Sequence, residues 1–251
     1  MIAGGGDGGD GGDGVGEAER VAALRERAWR ETAAIDAEFA AGRLDEAGWH
    51  AAMAELVRPA YLAAATPYAQ AGHSGDAAVW EASRGLAAAA LDRSGCFLDV
   101  GCASGVLMES VVVWGQRRGF DIEPWGLEIV PELAVLARRR LPAWAARIEV
   151  GNVRHWRPSR TLDYALLRPE YAPPGRQATM YRHVLDAVLG GRGRLIVFAG
   201  TEAAERRRAE DQALAAGLAV TGRIERVHPE HDGLRRRVFW IDGPDRGQHP
   251  H

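Results

Sequence analysis

The sequence predicts an α/β protein built on a doubly wound parallel sheet with an N-terminal helical extension. Three observations carry this. From residue 94 onward, short apolar runs of strand length alternate with amphipathic runs of helix length. Before residue 94 the spacing of apolar residues is helical only. At the far end two strand-like runs follow each other across a turn, which marks an antiparallel pair. Regular strand–helix alternation implies a parallel sheet covered on both faces, and right-handed crossovers make it doubly wound. At 251 residues, with 47% apolar and 26% charged residues, the chain has the composition of an ordinary globular protein large enough for a substantial core.

Residues 1–16 are nearly all Gly and Asp and bury too little apolar surface to offset ordering entropy, so they are expected to be disordered. Residues 17–93 form the helical extension. Val21, Leu24, Ala28, Ile35 and Phe39 share one helical face that stops at Gly42. A second helix spans 45–57, with Trp49, Met53 and Leu56 on its apolar side and Pro59 interrupting it. Thr66–Gly75 reads as a loop. Asp76 is placed to cap a helix carrying Trp80, Leu86 and Leu91. The remaining residues, 94–251, form the sheet domain. Its expected strands are Phe97–Asp99, Pro124–Ile129, Arg147–Val150, Leu162–Leu167, Arg194–Phe198, Leu218–Arg226 and Arg235–Ile241, the last two joined by a turn at Asp232-Gly233. Its expected helices are Val106–Arg118, Pro131–Arg140 (with Pro at the first position), Ala178–Leu189 and Ala203–Ala216.

Composition removes several function classes. A formal net charge of −3 exerts no global pull on nucleic acid or anionic membrane. The arginine triplets at 138–140, 206–208 and 235–237 read as solvated faces or helix ends. No stretch approaches the ~20 apolar residues of a membrane helix. No cationic-then-apolar leader is visible, so the cytoplasm is the expected compartment. Two cysteines, Cys96 and Cys102, do not complete a structural zinc site. All 31 basic residues are arginine, which excludes a P-loop lysine and a lysine Schiff base. The sequence contains one asparagine, Asn152.

The chemistry is organised around Phe97-Leu-Asp-Val-Gly-Cys-Ala-Ser-Gly105. A strand ends near Asp99, and a turn with Gly101 and Gly105 leads into a helix. Such a turn lets a ligand approach the backbone, and the helix start offers unpaired N–H groups. Alone, this turn is equally compatible with a structural role. Ligands in parallel sheets bind beyond the carboxyl ends of the strands. The second strand ends at Glu128, an acid at about the spacing of ~20 residues at which such a residue meets ribose hydroxyls. The third ends in Gly151-Asn152-Val153. An amide both donates and accepts, which suits the edge of adenine, although Asn is equally at home in a turn.

These segments, together with Leu162–Leu167 and Gly191-x-Gly193-x-Leu195, resemble the ordered motifs of class I S-adenosylmethionine (SAM)-dependent methyltransferases, over roughly Ser94 to Ile241. The resemblance implies a Rossmann-like seven-stranded sheet whose last strand is antiparallel, with SAM as cofactor. It places Asp99, Gly101, Ala103 and Gly105 around the methionine end and Glu128 on the ribose. Ile129 then packs on adenine, and Asn152 with Val153 reads its edge. The stretch Arg168-Pro-Glu-Tyr-Ala-Pro-Pro174 follows the fourth strand, where the family holds cofactor, substrate or catalytic groups. Arg168 is assigned to the cofactor. Glu170 is a candidate base or ammonium partner. Tyr171 is a candidate ring against the sulfonium, a cation–π contact of about 0.5–2 kcal/mol. His73, in the loop before the sheet domain, is the candidate histidine base.

The bulky residues Trp29, Phe39, Trp49, Tyr61, Tyr68 and Trp80 either form a lid over the substrate or pack between helices. The first expectation is methyl transfer to a small molecule in a biosynthetic setting, with no nucleic-acid or membrane partner. Its alternative is a cyclase of the same fold, in which the SAM amine attacks its own γ-carbon and gives azetidine-2-carboxylate and methylthioadenosine. Glu170, Tyr171, Tyr68 and Tyr181 would wall that site. A third is a non-catalytic SAM-binding protein.

Overall fold

The structure is a computed structural model that describes residues 12–73, 75–199, 203–228 and 231–247, with side chains described from residue 26 and not at 203–206, 228 or 231–234. The chain divides into two compact units, one up to Leu56 and one from Val57 onward.

In the first unit, helix α1 runs Gly12–Ala40. The expected disordered tail falls partly outside the described residues; Gly12–Gly16 are helical, continuing the helix N-terminally from Glu17. The helix ends at Gly42, whose φ of +69° suits a residue without Cβ. Helix α2 spans Glu46–Ala63. Asp45 precedes it and accepts a hydrogen bond from the Gly48 N–H at 2.7 Å. Trp49 is 3% exposed, and its indole N–H donates to Asp36 at 2.8 Å. Pro59 does not interrupt α2, contrary to expectation. Proline removes one N–H, here in the helix's final turns, and the flanking hydrogen bonds carry the helix through.

The second unit is a sheet of seven strands in the order β3-β2-β1-β4-β5-β7-β6. They are β1 Gly95–Val100, β2 Ile122–Glu128, β3 Ile148–Val150, β4 Tyr164–Leu167, β5 Arg194–Ala199, β6 Gly222–His228 and β7 His231–Asp242. The first five are parallel, and β7 is antiparallel to both β5 and β6. The helices are α3 Ala77–Arg84, α4 Val106–Arg117, α5 Pro131–Arg140, α6 Gln177–His183 and α7 Ala203–Ala215. Asp76 caps α3, as its position predicts, accepting from the N–H groups of Ala78 at 2.9 Å and Val79 at 3.0 Å.

Strand alternation divides the core between the two faces of the sheet. Leu98, Val100, Ala165, Leu167, Leu195 and Val197 face α6 and α7. Phe97, Tyr164, Leu166, Ile196, Phe198 and Val238 face α3 and α4. Two elements differ from expectation. The helix after β4 ends at His183 and becomes a wider π turn over Val184–Val188. The final hairpin reverses between His228 and His231, so Asp232 and Gly233 belong to β7 rather than to the turn. Cross-strand pairing of Val227 with Arg235 and Ile224 with Val238 sets that register and overrides the local turn preference of Asp-Gly.

Candidate functional site

The glycine loop lies between β1 and α4, at the carboxyl ends of the parallel strands. It is held from both sides. The Leu127 carbonyl of β2 accepts from the N–H groups of Gly101 at 2.7 Å and Cys102 at 3.2 Å. Gly101, Ala103 and Gly105 have φ of +69°, +46° and +75°. Ala103 is the sole described residue with a Cβ in this left-handed region, a conformation that needs support from its surroundings. Glu128 supplies that support. Its Oε2 accepts from the Ala103 N–H at 2.8 Å and its Oε1 from the Val130 N–H at 2.9 Å. Glu128 is 4% exposed; burial raises its pKa, while the N–H groups of Val130, Ala103 and Ile129 oppose that rise.

Asp99 stands beside it, 3% exposed. Burial pushes its pKa well above the usual carboxylate range; the neighbouring Glu128 charge adds to the rise, and Arg84 opposes it. The Asp99 carboxylate accepts no hydrogen bond among the described residues. Two buried carboxylates next to a backbone cradle are an arrangement chemically suited to a cation. Ile129, by contrast, is 36% exposed at the rim, an apolar side chain beside a polar cleft.

Tyr171 closes the loop from the other side. A Cβ built on Gly101 would lie 2.8 Å from its ring and hydroxyl, so ring and loop are in contact only because residue 101 is glycine. Burial moves the Tyr171 phenol far above its ordinary pKa, with Arg168 pulling the other way. Its hydroxyl is therefore a neutral donor and not a base. Glu170 is exposed and ion-paired with Arg168, which neutralises the carboxylate expected to act as a base.

Asn152 uses its Oδ1 to accept from the Arg154 N–H at 2.9 Å, closing the turn after β3. Its Nδ2 makes no hydrogen bond among the described residues. Val153 is buried, and Trp156 packs over Gly151 with its indole N–H on Glu149 at 2.8 Å. The loop after Thr66 reaches the glycine loop, because the Ser104 hydroxyl donates to the Pro67 carbonyl at 2.7 Å. His73, on that loop, is 7% exposed and packs edge-on to Trp80 with ring centres 5.3 Å apart.

Sequence reasoning gave no site role to Tyr61, Arg84, Arg236 and Gln177, which the structure brings to this end of the sheet. Tyr61 packs over Gly72 and senses the charges of Arg168, Arg84 and Glu128. Arg84 and Arg236 lie on the α3 side, as described below. Tyr181, named only as a wall residue, is fully buried with its hydroxyl unpaired. One helical turn earlier, the buried Oε1 of Gln177 is also unpaired. Among the described residues no group of three or more His, Cys, Asp or Glu is placed to hold a metal, and no helix is long and apolar enough to cross a membrane.

No protein-family model matches the chain, and no curated protein matches it. Solved structures do. An O-methyltransferase (NcsB1) from neocarzinostatin biosynthesis, in complex with S-adenosyl-L-homocysteine and 1,4-dihydroxy-2-naphthoic acid, superposes with a TM-score of 0.57 at 18% identity. It covers 88% of this chain and 70% of its own. The chain has the class I SAM-dependent methyltransferase fold. Two further structures overlap less. The 1,6-didemethyltoxoflavin-N1-methyltransferase of Burkholderia thailandensis has a TM-score of 0.47 at 21% identity, covering 66% of this chain and 77% of its own. The N-methyltransferase NodS of Bradyrhizobium japonicum has a TM-score of 0.48 at 16% identity, covering 66% and 84%.

Proposed function

We propose that the protein is a SAM-dependent methyltransferase acting on a small molecule. The observation that carries this reading is the pair Asp99 and Glu128, both buried against a backbone loop that turns through left-handed conformations at Gly101, Ala103 and Gly105. SAM fits that site. It brings an ammonium and a sulfonium to a place where two carboxylates have lost their water, and ribose hydroxyls to the remaining lone pairs of Glu128. The exposed Ile129 and the Nδ2 of Asn152 suit the face and edge of an adenine. The O-methyltransferase neighbour crystallised with S-adenosyl-L-homocysteine supports the same cofactor.

When bound, SAM supplies an activated methyl carbon on a positively charged sulfur. The protein's own work is then positional. Asp99 orients the ammonium. Glu128 fixes both the loop and the ribose. Tyr171 presents its ring to the sulfonium side and its hydroxyl as a donor. The strap containing Pro67, tied to Ser104, keeps water from the loop. With Glu170 engaged by Arg168, proton removal from the acceptor falls to solvent, to the acceptor's own acidity or to His73, whose ring packs on Trp80. Asp99, Glu128 and Tyr171 would hold the bound cofactor in place while it supplies the methyl group and takes up the electron pair of its own carbon–sulfur bond.

The decisive experiment incubates the purified protein with SAM alone and with acceptor panels, and identifies the nucleoside released. S-adenosylhomocysteine formed only with an acceptor is the expected result. Methylthioadenosine without acceptor would replace this reading with intramolecular displacement by the SAM amine. Tight binding without turnover would leave a binding protein.

A further inference from the structure

Three arginines outside the adenosine site converge on one face of the sheet. Strand alternation places two of them. Leu166 and Val238 belong to the core on the α3 side. Arg168 lies two residues past Leu166, and Arg236 two residues before Val238, so both fall on that face. They also fall at the same end, because β7 is antiparallel and pairs Arg237 with Ala199, the last residue of β5. Helix α3 packs on that face through Trp80, and Arg84 is its final residue. The Arg84 guanidinium sits 4.8 Å from the centre of the Phe198 ring and 5.6 Å from that of Trp80. The rings orient a planar cation without neutralising it. Arg84 has no carboxylate within ion-pair distance among the described residues, and the exposed Glu170 is taken by Arg168. Burial, with Arg168 and Arg236 nearby, pushes the Arg84 pKa down to about 9. A partly buried guanidinium stacked between two rings, with no carboxylate in ion-pair contact, keeps its N–H donors for an anion.

We propose that Arg84, backed by Arg168 and Arg236, binds a carboxylate on the acceptor, so that the methyl acceptor is an anionic small molecule. This rests on the methyl-transfer reading. A guanidinium matches a carboxylate with two parallel N–H donors, which adds orientation to attraction. The Trp80 and Phe198 rings that flank the cation favour a planar apolar body behind that carboxylate.

The test titrates protein saturated with S-adenosylhomocysteine with benzoate and with benzamide, which share a shape and differ in charge. It is run by calorimetry at fixed ionic strength in wild type, Arg84→Gln and Arg84→Lys. Wild type should prefer benzoate by about tenfold or more. Arg84→Gln should abolish the preference and Arg84→Lys should keep a weaker one, with S-adenosylhomocysteine affinity within about threefold of wild type in both. Equal binding of the two probes, or binding of neither, overturns the proposal. So does an Arg84→Gln variant that loses S-adenosylhomocysteine affinity while methylthioadenosine, which lacks the carboxylate, binds as before; the arginine then serves the methionine end. Wild type that binds no S-adenosylhomocysteine sinks the methyl-transfer reading instead. The benzoate preference is then read on the unliganded protein, where its loss in Arg84→Gln upholds the anion site and its absence overturns it.

Discussion

Asp99 and Glu128 are two carboxylates with opposite relations to the backbone around them. Glu128 holds two N–H groups and secures Ala103 in its left-handed turn. Asp99 holds none, and burial lifts its pKa. A carboxyl whose folded pKa is raised contributes stability that is fully present below its unfolded pKa of about 3.9 and lost as pH rises through the folded value. At neutral pH the unliganded protein therefore carries Asp99 at a cost, which a cation bound there would relieve. Asp99→Asn should raise the melting temperature of the unliganded protein, flatten its pH dependence above about pH 4, and weaken S-adenosylhomocysteine binding about tenfold or more. Thermal scans across pH 5–8 with calorimetry check this; a lowered melting point with unchanged affinity would remove Asp99 from the site. Both acids were legible as candidates because each stands at or next to the carboxyl end of a strand. Arg84 was not. At the end of a helix it reads as a charge complementing the dipole. Its packing against Phe198 joins residues far apart in sequence, and local spacing carries no trace of that.

Elements were legible where one period ran uninterrupted. The helix Pro131–Arg140 is observed with the bounds its sequence predicts, and β1 extends the expected run at both ends, from Gly95 to Val100. Legibility failed where a tertiary partner decided. Pairing with β6 drew Asp232-Gly233 into β7, and the helix after β4 widened into a π turn where Val184, Leu185 and Val188 are all buried. The loop between β1 and α4 shows how one glycine serves both the backbone turn and a neighbouring ring. Gly101 has φ of +69° and touches Tyr171; Gly119 has φ of +79° and nothing within 4 Å of a built Cβ. Alanine at either position incurs a similar backbone strain of about 1 kcal/mol. Both variants should therefore melt about 2–4 °C lower. Only Gly101→Ala must also displace the Tyr171 ring, so only it should weaken S-adenosylhomocysteine binding. Equal affinity in the two variants would show that the contact between Tyr171 and the loop has no part in the site.

At the scale of the whole second unit, the site and the main ionic staple lie at opposite ends of the sheet. The glycine loop, Glu128 and the arginines occupy the carboxyl ends of the parallel strands. Arg246, Asp92, Arg194 and Asp242 gather at the amino ends. Arg246 reaches Asp92 at 2.5 Å and Asp242 at 3.2 Å, and lies 5.1 Å from the centre of the Tyr164 ring. Arg194 meets Asp242 at 2.6 Å and Asp92 at 3.2 Å, while the Tyr164 hydroxyl donates to Asp92 at 2.7 Å. The network binds the segment before β1, the start of β4 and β5, and the chain after β7 into one knot. The Arg246 side chain is only 5% exposed, so solvent screens it little, although Asp92 is 45% exposed. Arg246→Ala should cost about 1–3 kcal/mol, as expected for hydrogen bonds to charged groups. That corresponds to a melting temperature about 2–12 °C lower. Because none of these residues touches the glycine loop, S-adenosylhomocysteine affinity should stay within about twofold once temperature is kept well below the transition. Thermal unfolding paired with calorimetry separates the two effects. An affinity loss as large as that of Asp99→Asn would mean that the strands transmit strain from one end of the sheet to the other, and that stability and binding in this protein are coupled through β4 and β5.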